Sequence, residues 1–179
     1  MDETPAPARD RHRGRRFSTR GWAIGMLVTL LAQFGLGMYA NLFIQIPSRH
    51  PGAGEHNYLT ATARGIAWLE TSKDAPVVVA THVGVGLTLV IGAAWMVTRA
   101  FQTRTRPTVS WSAVLGGLFI LGAAINGGSF LDYNNDVNSY LMAMFFAAAV
   151  ACYGLILTLP GAAHRPARPL PGGDFAGRT

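Results

Sequence analysis

PVVVATHVGVGLTLVIGAAWMVT, residues 76–98, is a run of 23 residues in which His82 is the one acidic, basic or imidazole side chain. A helix needs about 20 apolar residues to cross ~30 Å of hydrocarbon, and this stretch has that length. Three more runs share its character: Gly21–Ile46, Val109–Leu131 and Val137–Leu159, none of which holds an Asp, Glu, Lys, Arg or His. Backbone amides in lipid must be paired within their own segment, so each run is expected to be an α-helix. Membrane β-strands alternate in polarity over ~10 residues, and these runs do not.

Working outward, the composition agrees with a lipid-facing chain. Half of the 179 residues are hydrophobic and 13% are charged, against about 25% charged in soluble domains. Four spans leave little chain for a soluble domain. The net charge of +6 does not imply nucleic acid, because the basic residues sit beside span ends. Twelve of the fifteen lie in three regions: the N-terminal tail, Arg99–Arg106 and the segment after Leu159. The two alternating regions, Pro47–Ala75 and Asp132–Asp136, hold only Arg49, Arg64 and Lys73. By the positive-inside rule both termini are expected in the cytoplasm, with the chain multi-pass in the cytoplasmic membrane. Cys152, the single cysteine, excludes an intramolecular disulfide. Arg15-Arg16-Phe17 is like a twin-arginine start, but the 26-residue run after it is longer than a signal core of about 7–15 residues, so a retained anchor is expected.

Residues 1–20 and 161–179 are rich in Pro and Arg and are expected to be disordered. Pro47 stops the first span. In the loop that follows, Leu59, Ala63, Ile66 and Leu69 recur every three or four residues, which predicts a short amphipathic helix over 58–71 capped by Asn57. It is expected on the extracytoplasmic face, with Trp68 at the lipid–water boundary. The other links are short, so consecutive spans are expected to pair, giving an all-α membrane protein built as an antiparallel up-down-up-down four-helix bundle. Ala80, Gly84, Thr88 and Gly92 in the second span, and Ala143, Ala147 and Ala151 in the fourth, form small-residue stripes expected at helix–helix contacts, within the bundle or between subunits. Gly116-Gly117 and Gly127-Gly128 would admit a partner's close approach.

Polar side chains inside a bilayer are costly, so their placement is informative. Gln33, Gly37, Asn41 and Gln45 are spaced by four and share one broad face of the first span. His82 and Asn126 should reach the depth of Asn41, near the outer end. Asn41, Gln45, His82, Asn126 and Asp136 are therefore expected to build a polar pocket open to the outside, with the His50 loop above it.

Three functional readings follow. The first is a structural or accessory subunit in a homo-oligomer or larger membrane complex. The second is a b-type haem on His82, where Gly86 one turn away would leave room for a flat ring, or a metal held by His82, His50, His56 and Asp136. No second histidine lies in any span and no HxxH or HxxxH spacing occurs. The third is a pocket for a lipid, quinone or other small molecule. No nucleophile–base pair marks an enzyme, and no continuous polar path marks a channel.

The segments Asn41–Pro47, His50-Pro51-Gly52-Ala53, Thr81-His82-Val83-Gly84 and Asn126–Leu131 resemble a family of uncharacterised bacterial four-span integral membrane proteins. The resemblance covers about residues 22–160. It implies the four-helix membrane fold and no established activity.

Overall fold

The computed structural model describes residues 19–47, 49–103, 105–133 and 135–159. The tails expected to be disordered lie outside these residues, apart from Thr19 and Arg20, which open the first helix. Five helices and no strand occur among the described residues: α1 (Thr19–Phe43), α2 (Tyr58–Thr71), α3 (Val77–Gln102), α4 (Pro107–Tyr133) and α5 (Asp136–Thr158). Four of them, α1, α3, α4 and α5, are long and apolar enough to cross a membrane.

Prolines and caps set the helix ends. α1 stops at Phe43 rather than Ile46. A helix continued through Pro47 would press the proline ring on the carbonyl of residue 43, and Ile46 is steered from helical backbone as well. α3 runs a turn past residue 98 to Gln102 and places Arg99 in its last turn, where a cation meets the negative end of the helix dipole. Pro107 begins α4; its missing N–H costs nothing at a first helical position. Asn57 Oδ1 accepts from Thr60 N at 3.2 Å to open α2, and Asn135 Oδ1 accepts from Val137 N at 2.9 Å to open α5.

The long helices touch in a closed order: α1 packs on α3 and α5, and α4 packs on α3 and α5. Contacts across the α1–α3, α1–α5 and α4–α5 pairs run in opposite numbering. Gln33 meets Gly86 while Gly37 meets His82 and Met26 meets Gly92. On the α4–α5 face, Gly116, Gly122 and Gly127 receive Tyr153, Phe145 and Met142. Between α1 and α5, Arg20 Nη2 donates to Leu159 O at 2.8 Å and Phe34 stacks on Phe146. Glycine notches accept large side chains here because lipid supplies no hydrophobic drive between helices, so close packing must hold them.

The expected small-residue stripes meet other helices of this chain only in part: Gly92 receives Met26 and Ala80 packs on the smaller of two cores. Gly84, Thr88, Ala143, Ala147 and Ala151 are exposed, and a Cβ on Gly84 would meet nothing within 4 Å. The glycine pairs are filled from within the chain: Gly117 faces Ala93 and Val97, and Gly128 faces Tyr58 and Thr62. The core falls into two parts. The larger holds Met26, Leu30, Leu89, Met96, Ile120, Tyr153 and Ile156. The smaller holds Leu69, Ala75, Val79 and Leu131 at the α2 end.

Candidate functional site

Between the two cores lies a cavity of about 230 Å³ with walls from all five helices. Leu30, Phe34, Val83, Leu89, Ile120 and Phe146 are among its apolar lining, and Gln33, Asn41, Thr62, His82 and Ser139 supply its side-chain polar groups. α2 roofs it with Thr62 and Ile66. Tyr58 Oη donates to Ile125 O at 2.8 Å and pins α2 to α4.

At its centre α1 and α3 exchange side chains in a reciprocal fit. Gln33 Nε2 donates to His82 O at 2.9 Å and lies 3.2 Å from His82 Nε2. The backbone carbonyl is an acceptor only, so the amide atom facing it must be nitrogen. The same nitrogen then donates to Nε2, which must carry no proton. The neutral ring therefore holds its proton on Nδ1. His82 Nδ1 and Gln33 Oε1 are left buried with no partner among the described residues. The glycines explain how two polar side chains fit. A Cβ on Gly37 would come 2.8 Å from His82 Cε1, and one on Gly86 would come 3.1 Å from Gln33 Nε2.

The residues expected from the sequence divide. Asn41 and His82 line the same cavity, and Ser139 Oγ approaches Asn41 Oδ1 at 3.4 Å. Asn126 does not line it: its Nδ2 donates to Gly122 O at 2.8 Å, one turn back on its own helix. Gln45 lies past the end of α1 and is exposed, and Asp136 is exposed in the first turn of α5. The space beside Gly86, read as room for a haem, holds the Gln33 amide. Gln33 belonged to the polar row of the first span but not to the expected pocket. The signal was a repeated spacing: Gln33 with Gly37 and His82 with Gly86, each four apart.

The expected metal set is not gathered. Among the described residues no three His, Cys, Asp or Glu side chains cluster to hold a metal. His56 is exposed. His50 is engaged elsewhere, with Nδ1 3.1 Å from Pro51 O and Nε2 3.1 Å from Leu131 O, and its ring stacks on Trp68. Both partners are acceptors, and a neutral ring donates to one at a time. With its proton on Nε2, His50 ties the loop before α2 to the end of α4, and Trp68, expected at the lipid boundary, is half-buried against it. Comparison with protein-family models, with characterised proteins and with solved structures found no match to this chain.

Proposed function

We propose that this chain is an integral membrane protein whose cavity binds a small, mostly apolar molecule through His82 and Gln33. One observation carries the ligand reading: a mostly apolar cavity has the paired His82 and Gln33 in its lining, and one donor and one acceptor of that pair lack a partner among the described residues. Leaving such groups unpaired costs ~1–3 kcal/mol each. An apolar cavity with a few convergent polar groups is the usual form of a small-molecule site. A purely structural or accessory role leaves those two atoms unexplained. A haem has less support, since Nε2 of His82 faces the Gln33 amide and no other histidine lines the cavity.

The same proposal places the four long helices up-down-up-down in the cytoplasmic membrane, with both termini inside and α2 on the outer face. The arginine distribution and the closed order of helix contacts support it. Membership of the bacterial four-span family that the motifs resemble belongs to this proposal.

Native purification in mild detergent, with mass spectrometry of extracted small molecules, tests the ligand reading. A bound compound should be recovered. His82→Ala and Gln33→Ala should each weaken its binding about tenfold, the worth of one hydrogen bond in an apolar site. A preparation free of bound molecules, with both variants as stable as the parent, would return the pair to a structural role. A Soret band lost in His82→Ala would favour haem instead.

A further inference from the structure

The roof and the walls of the cavity are built differently. Over the α2 end the closure is specific. Tyr58 Oη bonds Ile125 O, Tyr58 and Thr62 fill the notch at Gly128, and His50 ties the loop to Leu131 O. Gly52, at φ +104°, lets that loop pack on the Ala61 carbonyl, where a side chain would not fit. These contacts hold α2 and the loop before it against the end of α4, and α2 packs on α3 as well.

The seam between α1 and α5 is the least closely packed of the four between long helices. Two rungs cross it beside the cavity: the Phe34–Phe146 stack, with centroids 4.9 Å apart, and the long Ser139–Asn41 contact at 3.4 Å. Met38 falls between these rungs along α1, and all five residues line the cavity. Phe34 and Met38 are also 43% and 41% exposed. Methionine is unbranched and moves between rotamers at little cost, so it makes a yielding barrier.

We infer that the cavity is filled sideways from the bilayer, between α1 and α5, by a membrane-dissolved molecule with a neutral head carrying both a hydrogen-bond donor and an acceptor, such as a hydroxyl. This rests on the ligand reading above. In a membrane the α1–α5 seam meets acyl chains, so what arrives there is already lipid-soluble. The head chemistry follows from the fixed tautomer. Neither atom is open to the cavity, so the ring and the amide must turn as the head enters; a hydroxyl oxygen then accepts from His82 Nδ1–H and its hydrogen goes to Gln33 Oε1. A quinone or an ether offers acceptors only and leaves Oε1 unpaired.

The test uses the full chain in lipid nanodiscs, with tail-fluorinated octanol followed by fluorine NMR. Octyl methyl ether and duroquinone serve as competitors. Octanol should bind in slow exchange, and neither competitor should displace it at equal concentration. Asn41→Cys with Ser139→Cys, in a Cys152→Ser background, should slow exchange by about tenfold when oxidised and recover on reduction. Met38→Trp should slow exchange without any oxidant. Tyr58→Phe with His50→Ala loosens the roof and should leave the exchange rate unchanged. Exchange that speeds up in the loosened roof, or ignores both the cross-link and the tryptophan, would overturn the sideways route. Displacement by the ether or the quinone would overturn the head chemistry. Absence of any bound signal in the parent protein would instead remove the ligand reading on which both depend.

Discussion

Gly37 and Gly86 are the residues on which the His82–Gln33 pair depends. An alanine at Gly37 would drive Cβ into the imidazole, and one at Gly86 into the amide. Overpacking a filled site costs ~1–3 kcal/mol. Gly37→Ala and Gly86→Ala should both lower the unfolding midpoint in a common detergent, with Gly37→Ala the worse. Gly25 and Gly35 lie in the same helix and a Cβ on either would meet nothing within 4 Å. Alanine there should be neutral or stabilising by ~0.5–1 kcal/mol, because it removes backbone freedom from the unfolded chain. Equal losses at all four positions would mean that the reciprocal fit does not hold the helices together. The depth of His82 was legible as an imidazole inside an apolar run. Its partner was not, because the pairing of residues 33 and 86 depends on how α1 and α3 are staggered. Asn126 misled for a different reason. A helical amide can satisfy itself on the carbonyl four residues earlier, so a polar residue in a span need not face a polar neighbour. Thr81, Thr88 and Thr98 do the same on α3.

α2 carries its own start signal, and its removal has a defined cost. Asn57→Ala leaves the Thr60 amide without its acceptor and should destabilise the helix by ~1 kcal/mol. Hydrogen exchange should then quicken across α2, while α3 and α5 keep their protection. Uniform quickening across all five helices would show instead that α2 unfolds only with the whole molecule. Helix boundaries were readable wherever a proline or a cap stood in the chain. The amphipathic spacing of the loop placed Leu69 inward, and Leu69 is buried, but Leu59 at the same helix's first turn is exposed. The small-residue stripes were not readable in this way. Spacing by four puts residues on one face, yet it does not say whether a neighbour or lipid lies against that face. On α3 the face that packs against α1 is marked by Gly86 and Gly92, not by Gly84.

For the whole molecule, the proposed orientation makes a direct prediction. Single cysteines placed in a Cys152→Ser background near Arg11, Arg106 and Arg168 should resist a membrane-impermeant maleimide in intact cells. Cysteines replacing Glu55 or Lys73 should react. The reverse pattern would invert the topology, and a mixed pattern would break the alternation of the spans. The length and apolar character of four segments follow from the amino-acid order alone, because crossing hydrocarbon is a requirement each helix meets by itself. Charge asymmetry between links is likewise a property of the chain. Which side chains meet is a property of the fold: the stagger of α1 against α3 decides that His82 finds Gln33. The position of α2 over the α4 end decides that His50 is tied to a carbonyl at that end rather than facing His82. Burial and hydrogen bonding in the interior depend on neighbours far apart in the chain, and only packing selects them.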